Sequence, residues 1–363
     1  MATVTKSIGT TARDYSTITL WEADLDDAAI YSASDDAVGE CYNDSVFDEA
    51  VSINGGGTVG LNSITITVAI GERHDGTAGS GTVIDRGAAN GGIFVASGYA
   101  ASTRTLTIEW LELTDVGKGT MVSLRDSSPA GGNFIVRNNL MHGISAYDST
   151  ERRFLNLFGH SDLGDVQVLN NVCYDNVNSF SGASGSDGIR IENAAGQVLN
   201  NIVFNVRHSH ASNTGTVYGI RVTDAATTEY KNNVCCDTAN AGSGDHDDFS
   251  PTTPTNATAA YNASSDTTAT GTGSITSITT ADQFVSTVGG SEDLHLKAGS
   301  DCIDAGTDLG TTPTGVNIDI NGRDRDAEAD TWDIGAHELV VVGGTTGSKN
   351  PFSARSPLQG PIG

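Results

Sequence analysis

Two arginines in a repeated Gly-Ile-Arg motif are the strongest candidates for ligand binding in this sequence. Arg190 and Arg221 each follow Gly-Ile and lie 31 residues apart. A guanidinium group binds a carboxylate in a planar, bidentate geometry. We therefore predict a carbohydrate- or carboxylate-binding site formed by both arginines with the nearby Asp187 and Tyr218. The alternative is an ion-paired or solvated face, in which Glu192 neutralises Arg190.

A run of four consecutive residues is a candidate metal site. Asp245, His246, Asp247 and Asp248 lie in a segment that is rich in Gly and Ser. Carboxylates and imidazoles are common ligands of divalent metal ions, so the run predicts a coordination site. The alternative is a charged surface loop. No cofactor is predicted from the rest of the chain.

These candidates lie in a chain whose asparagine pairs recur at a nearly constant interval. The second asparagine of each pair, at spacings of 32, 30 and 32 residues, is Asn139, Asn171, Asn201 and Asn233. Short apolar segments with a similar period begin at Met121, Phe154, Gly188 and Gly219. Apolar and polar residues alternate within each copy, which is typical of a β-strand. The sequence therefore predicts an all-β fold, a right-handed parallel β-helix (a solenoid) with coils of about 28–34 residues.

The repeated asparagines have a structural interpretation. In a parallel solenoid, equivalent residues of successive coils stack at the strand spacing of ~4.8 Å. A side-chain amide both donates and accepts hydrogen bonds, so the four second asparagines can form an internal ladder. A ligand site made of four amides is the alternative. We predict the ladder, which would set the register of the coils.

Two motifs near the C-terminus carry a resemblance to a known superfamily. Residues 294–310 read LHLKAGSDCIDAGTDLG, and residues 319–338 read DINGRDRDAEADTWDIGAHE. They resemble the closing segment of bacterial and phage right-handed β-helix proteins of the pectate-lyase-like superfamily. Residues 13–25, RDYSTITLWEADL, resemble the opening segment of that group, a short helix that covers the first coil. The resemblance implies the fold but no single activity, because the superfamily includes lyases, hydrolases, adhesins and virion parts.

The chain divides into four predicted segments. They are an N-terminal cap (1–55), a parallel β-helix (56–290), a C-terminal capping segment (291–340) and an extended docking arm (341–363). Caps are expected because an open solenoid end exposes apolar core and unpaired strand groups. We predict that Trp21 covers one end, and that Trp332, Ile334 and Leu339 cover the other.

The docking arm is basic, whereas the body of the protein is acidic. No Asp or Glu follows Glu338, and prolines favour an extended chain. The predicted contact residues of the arm are Lys349, Pro351, Phe352, Arg355 and Pro357. Such an arm predicts docking onto another subunit or a neighbouring protein. A tail without a binding role is the alternative.

Composition excludes several function classes. The formal net charge is -26, and nucleic-acid binding requires a basic surface, so no nucleic acid is expected as a partner. No apolar run reaches the ~18 residues of a membrane span, so no membrane insertion is expected. The N-terminus has no apolar run typical of a signal peptide. The five cysteines include no Cys-x-x-Cys pair, which argues against a disulfide framework or a zinc site.

No catalytic residue is assigned from the sequence. A polysaccharide lyase needs a positioned base, and a glycoside hydrolase needs two carboxyl groups ~5–10 Å apart. The Ser-Asp-Gly-Ile context of Asp187 is similar to one aspartate motif of polygalacturonases, but the other motifs of that family are missing.

Three functions are compatible with these observations. The first is a structural protein on the exterior of a bacteriophage virion, such as a capsid decoration, vertex spike or tail-associated protein. It would be made in the host cytoplasm without a signal peptide, contact other virion proteins and copies of itself, and present an acidic surface to host glycans. The second is a polysaccharide lyase or hydrolase (a depolymerase) with a site on the β-helix face. The third is a bacterial surface adhesin.

Overall fold

The chain winds into a parallel β-solenoid of about seven turns, which confirms the all-β class predicted from the repeat. The computed structural model describes residues 2–97, 104–125, 133–146, 149–158, 166–223, 228–250, 257–328 and 331–339. A typical turn gives one strand to each of three sheets, called A, B and C in the order in which the chain passes through them within that turn. No helix in these ranges is long and apolar enough to cross a membrane.

The strands of each sheet pair in parallel with the equivalent strands of the neighbouring turns. Sheet A contains Thr3–Ile8, Asp36–Cys41, Ser63–Val68, Thr105–Glu109, Asn133–Arg137, Val166–Leu169, Gly196–Leu199, Thr228–Lys231 and Thr258–Ala260. Sheet B contains Val83–Asn90, Glu112–Lys118, Leu140–Ala146, Val172–Asn178, Ile202–His208, Val234–Cys236, Ala239–Asn240 and Ala263–Ser264. Sheet C contains Val51–Ser52, Phe94–Ser97, Thr120–Arg125, Arg152–Phe158, Ser186–Glu192, Val217–Thr223 and His246–Phe249.

The remaining elements are short and lie outside the three sheets. An antiparallel pair is formed by Phe284–Ser286 and Asp293–Leu296. The helices are Ile18–Ala23, Thr280–Gln283, Arg325–Glu328 and a 3-10 turn at Ile70–Glu72. Helical structure therefore adds little to a fold that is built almost wholly from stacked strands.

The core of the solenoid consists of apolar side chains that stack from turn to turn. One such column is fully buried and contains Met141, Cys173, Val203 and Cys235. Because neighbouring residues of a strand point to opposite faces, each strand turns alternate residues to the core and the others to the outer face, where some are exposed and others are covered by later segments. The position of a residue in the repeat therefore decides whether it faces the core or the outer surface.

A column of asparagine side chains runs inside the corner between sheets A and B. Its members are buried and are Asn139, Asn171, Asn201, Asn233 and Asn262. The Nδ2 of each donates to the Oδ1 of the next at 3.0–3.1 Å. At the first member, Oδ1 of Asn139 accepts the N–H of Leu111 at 3.1 Å. The four asparagines predicted to stack thus form a continuous ladder, to which Asn262 adds a fifth rung.

The first asparagine of each pair has a different role, which the sequence did not reveal. These residues have φ between 53° and 56° and are Asn138, Asn170, Asn200 and Asn232. Asparagine tolerates this left-handed region better than most residues. Their Nδ2 atoms donate to backbone carbonyls of residues 307–319 at 2.8–3.0 Å. One asparagine of each pair therefore joins coil to coil, and the other binds the C-terminal part of the chain.

Residues 302–339, called the strap below, run back along the flank of the solenoid. Two buried clusters line this contact: Leu169, Leu199, Val316 and Trp332 in one, and Leu140, Val172, Ile202, Val234 and Ile334 in the other. The prediction that Trp332, Ile334 and Leu339 cover the open end is therefore wrong. The strap lies on the flank because outward-facing apolar residues beside the asparagine corner need to be covered there.

The two ends of the solenoid are covered by other segments. At the first turn, Trp21 of helix Ile18–Ala23 is buried, and its Nε1 donates to the hydroxyl of Tyr31 at 2.9 Å. At the last turn, single bridges from Thr272 and Ile275 extend sheets A and B. Two strands of sheet A begin within residues 1–55, so the solenoid starts earlier than the predicted boundary between cap and β-helix.

His295 joins three segments at the outer surface of this assembly. Its Nδ1 faces Asp293 Oδ1 at 2.6 Å, and its Nε2 faces the carbonyl of Asp75 at 2.8 Å and Asn321 Oδ1 at 2.9 Å. Burial opposes protonation of the ring, but these acceptors outweigh it and raise the pKa of His295 above its usual value. When it is protonated, the ring donates from both nitrogens and holds the Asp293–Leu296 strand against two loops.

We expect His295→Gln to reduce the pH dependence of stability on the alkaline side of about pH 6.5. A histidine whose pKa is raised by folding stabilises the fold below its unfolded pKa. That contribution is lost as the pH rises through the raised value. Urea midpoints at about pH 6 and about pH 8 should differ more for the native chain than for the variant. His246→Gln, at an exposed ring, is the control, and equal pH slopes for all three proteins would contradict the prediction.

Candidate functional site

The outer face of sheet C brings together the four residues predicted to bind a carbohydrate or carboxylate. Arg190 pairs with Arg221, and Asp187 pairs with Tyr218, across adjacent parallel strands. Ile189, on the same strand as Arg190, is fully buried in the core. Strand alternation therefore turns the arginine side chains to the outside. The register stacks them one turn apart, as the sequence predicted.

Asp187 lies at the centre of three guanidinium groups. Its Oδ2 accepts a hydrogen bond from Nε of Arg153 at 2.8 Å and lies 3.9 Å from Nη1 of Arg190. Its Oδ1 lies 3.8 Å from Nη1 of Arg221. The carboxylate side chain is only 3% exposed, so these arginines rather than water surround it.

Two further carboxylates complete the cluster. Glu192 contacts Nη2 of Arg190 at 2.9 Å, and Glu151 contacts both Arg153 and Nη1 of Arg190. Burial opposes ionisation of Glu151, but the positive charges of Arg153, Arg190 and Arg221 hold its pKa below the usual value. The cluster thus has three carboxylates and three guanidinium groups, and we name it the sheet C cluster.

Several polar atoms of the sheet C cluster lack a hydrogen-bond partner. Oδ1 of Asp187, Nε of Arg190 and Nε of Arg221 are buried and unpaired within the described residues. Buried polar groups in folded proteins are usually paired, so this concentration points to a ligand or to ordered water. Guanidinium groups suit carboxylates and sugar hydroxyls, whereas every carboxylate here is close to an arginine. The arrangement therefore favours binding rather than proton transfer.

Tyr218 forms the apolar edge of the sheet C cluster. The guanidinium carbon of Arg221 lies 5.1 Å from the centre of its ring, within the range of a cation–π contact. Burial is the main cause that raises the pKa of Tyr218, so the hydroxyl stays neutral. The ring can therefore pack against a ligand and offer one hydroxyl, as aromatic residues do in many carbohydrate sites.

Arg153 and Glu151 belong to this site, and sequence reasoning missed them. The signal was present, because aligning Phe154 with Gly188 places Arg153 directly beside Asp187 in the preceding coil. Arg153 lies outside the repeated motifs, because it has no counterpart of its own type in the next coils. The register of the repeat, rather than residue identity, is the property that would have revealed it.

The predicted metal residues do not converge on a common point. Asp248 points inward, is 1% exposed, and accepts both the N–H and the hydroxyl of Ser265 at 2.7 Å. Asp245 and His246 are exposed, while Asp247 pairs with the position of Tyr218. Within the described ranges, no group of three His, Cys, Asp or Glu side chains is placed to hold a metal ion. The metal-site prediction is therefore not supported, because Asp248 is buried whereas Asp245 and His246 are exposed to solvent.

Asp248 instead has a structural role at the last turn. Burial is the main cause that raises its pKa to about 6, and the hydrogen bonds from residues 238 and 265 oppose that rise. Its carboxylate orders the loop that follows sheet B. The contact residues predicted in the docking arm, Lys349, Pro351, Phe352, Arg355 and Pro357, lie outside the described residues.

Comparisons with protein-family models, curated proteins and solved structures found no match. The fold is therefore assigned from the strand pairing and the stacked repeat themselves. The resemblance to pectate-lyase-like β-helix proteins remains a prediction from the sequence motifs.

Proposed function

We propose that the protein is a structural β-solenoid on the exterior of a bacteriophage virion, attached to other virion proteins through its C-terminal arm. The motifs at residues 294–310 and 319–338, which resemble those of phage and bacterial β-helix proteins, support this proposal. The solenoid, with its ladder and strap, provides a rigid body of the kind that an exposed virion component needs.

The observation that carries the proposal is the fixed starting point of the arm. The N–H of Leu339 donates to Oδ2 of Asp333 at 2.7 Å, and Glu338 forms a buried ion pair with Arg325 at 2.7 Å. Leu339, the last described residue before the arm, is therefore fixed on the flank of an acidic protein. An arm that is anchored in this way would attach the folded solenoid itself to the partner protein.

We expect the chain to be present in purified phage particles at a fixed ratio to the major capsid protein. Removing residues 348–363 should abolish incorporation, because the basic contacts of the arm are lost, while the far-ultraviolet circular dichroism spectrum stays unchanged. Quantitative mass spectrometry of the particles is the measurement. A variant with only Lys349→Gln and Arg355→Gln tests whether charge is the cause. Absence of the native chain from particles, or equal incorporation of the shortened chain, would refute the proposal.

A second candidate function is the binding of an acidic glycan through the sheet C cluster. The unpaired atoms of Asp187, Arg190 and Arg221 favour it, together with the ring of Tyr218. Within the described residues, Asp187 lies near both guanidinium groups, but the buried Nε atoms of Arg190 and Arg221 have no acceptor. A uronate carboxylate supplies such an acceptor, and a repeating polysaccharide supplies several along the stacked turns. This activity is compatible with a virion protein that contacts the host surface.

We expect polygalacturonate to bind the native chain and neutral dextran not to bind. The double variant Arg190→Gln and Arg221→Gln should weaken binding by about tenfold or more, since each charged hydrogen bond is worth about 1.5–3 kcal/mol. Arg86→Gln is the matched control, because Arg86 lies on sheet B and its ion pair with Asp48 is far from the sheet C cluster in the fold's strand order. Isothermal titration calorimetry measures the affinity for the polysaccharide. Ultraviolet absorbance detects the unsaturated sugar ends that a lyase would form by cleaving it. Release of such ends would assign a depolymerase, and equal affinity in both variants would exclude this site.

A further inference from the structure

A cavity of about 370 Å³ opens at the corner where sheet A meets sheet B near Trp110. We propose that this cavity binds a small monocarboxylate anion, held by the guanidinium groups of Arg73 and Arg137. The site is separate from the sheet C cluster and goes beyond the proposed function. It lies under the strap, whose residues Thr314, Gly315 and Ile318 line one side.

Trp110 occupies an unusual position for a large aromatic residue. It stands at the corner where later coils place Asn138, Asn170, Asn200 and Asn232, and it has the same left-handed backbone, with φ of 64°. For a bulky residue this conformation costs energy, and such strain occurs often at ligand sites. In this coil a tryptophan therefore stands where later coils have an asparagine bound to the strap. Its indole ring lines the cavity.

Arg73 stacks on this indole and keeps free donors. Its guanidinium carbon lies 4.4 Å from the centre of the Trp110 ring, and its Nε donates to the carbonyl of Val68 at 3.2 Å. Among the described residues, its two terminal nitrogens have no acceptor, and no carboxylate lies within 4.0 Å of the group. Since Arg73 lines the cavity, these donors are available to a ligand.

Arg137 adds a further donor on the same cavity. Its Nε donates to Oε2 of Glu109 at 2.6 Å and its Nη1 to the carbonyl of Thr314 at 2.6 Å, which fixes the plane of the group. Within the described part of the chain its Nη2 has no acceptor. A held guanidinium group with one open edge loses little conformational entropy when it binds a ligand.

The local charge selects the class of anion. Arg73 and Arg137 contribute two positive charges, and Glu109, which also accepts the hydroxyl of Thr67 at 2.8 Å, contributes one negative charge. Glu40 acts on Arg73 from beyond the lining, but the groups that line the cavity carry a balance of one positive charge in a protein whose net charge is -26. A monocarboxylate neutralises it, whereas a dianion would leave an excess negative charge beside Glu109. A planar carboxylate also matches the fork of a guanidinium group.

The strap is shaped to leave this space open. Gly315 has φ of +86°, and a Cβ there would lie 2.6 Å from Nη1 of Arg137. A side chain at this position would displace the arginine that holds the anion. The volume suits a ligand of about six carbon atoms, within the usual range of small-molecule sites.

The test uses D-gluconate as the carboxylate, D-sorbitol as its neutral counterpart, and inorganic phosphate as the dianion. Calorimetry and saturation-transfer NMR on the full chain, in a low-chloride buffer without carboxylates, measure binding. We expect gluconate to bind, sorbitol not to bind and phosphate to bind more weakly than gluconate. Equal binding of sorbitol, tighter binding of phosphate, or no binding of gluconate would overturn the proposal.

Variants locate the site. Arg73→Gln should weaken gluconate binding by about ten- to a hundredfold, and Arg73→Lys should weaken it less, because charge remains while the fork is lost. Arg13→Gln is the matched control: Arg13 also stacks on an aromatic ring, that of Tyr42 at 3.5 Å, but pairs with Asp44. It should keep native affinity, as should the double variant of the sheet C cluster. Native affinity in Arg73→Gln, with an unchanged thermal midpoint, would place the ligand elsewhere.

Discussion

Asn171→Ala is expected to lower the free energy of unfolding by about 3–5 kcal/mol. Oδ1 of Asn171 accepts both the N–H and the Nδ2 of Asn139 at 3.1 Å. Its own Nδ2 donates to the carbonyl of Val136 and to Oδ1 of Asn201. Alanine would leave several of these buried groups unpaired, and each unpaired group costs about 1–3 kcal/mol. The substitution would also interrupt a chain of hydrogen bonds that polarise one another.

Urea unfolding followed by circular dichroism measures the effect. Asn54→Ala is the control, because Asn54 is exposed and lies outside the ladder, and a change within about 0.5 kcal/mol is expected there. A loss below about 1 kcal/mol in Asn171→Ala would show that the ladder contributes to register but little to stability.

Arg325→Leu is expected to detach the strap from the solenoid and to lower stability by about 3–5 kcal/mol above neutral pH. Arg325 is fully buried, pairs with Glu338 at 2.7 Å and donates from Nη2 to the carbonyl of Gly335 at 2.8 Å. Without the arginine, the Glu338 carboxylate would remain buried with no positive partner and would keep only the N–H of Asp333, at 3.1 Å, as a donor.

The loss in Arg325→Leu should depend on pH. Burial raises the pKa of Glu338 to about 7, although Arg325 opposes this rise. A carboxyl group whose pKa is raised by folding favours the folded state at low pH, and the advantage disappears as the pH rises through the raised value. Removing Arg325 raises that pKa further, so the variant should be least stable at high pH.

Thermal unfolding at about pH 6 and about pH 8.5, with limited proteolysis of the strap, measures this prediction. Arg323→Leu is the matched control, because Arg323 is exposed and only two residues away. A strap that resists proteolysis in Arg325→Leu, with a midpoint equal to that of the control, would contradict the prediction.

The repeat made the solenoid and much of the sheet C cluster predictable. Spacing alone placed Asn171 above Asn201 and Arg190 above Arg221, because parallel pairing stacks equivalent residues. The same spacing also predicts that Arg153 lies beside Asp187 in the next coil. These properties depend on the period of the sequence, which can be read without knowing any contact between distant segments.

The strap could not be predicted in this way because it does not repeat. Val172 and Ile202 directly follow ladder asparagines and have the composition of core residues, yet they pack against Ile334 of the strap. Their sequence pattern is the same whether they face inward or outward. The left-handed corner at Asn170 and Asn200 changes which face they occupy, and only the three-dimensional course of residues 302–339 reveals it.

The length of the strap is matched to the number of coils in the solenoid. Its carbonyls are matched to successive coils, from Thr307 at Asn232 to Ile318 at Asn138. Duplicating residues 172–201 would preserve the hydrogen-bonding pattern of the ladder and lengthen the stack by one strand spacing, ~4.8 Å. The strap would then be too short by that distance, about one to two extended residues. A change in the number of coils therefore requires a compensating insertion in the strap, more than a hundred residues away. Two separate parts of the sequence, the number of repeats and the number of residues in the strap, thus have to agree on the length of the solenoid.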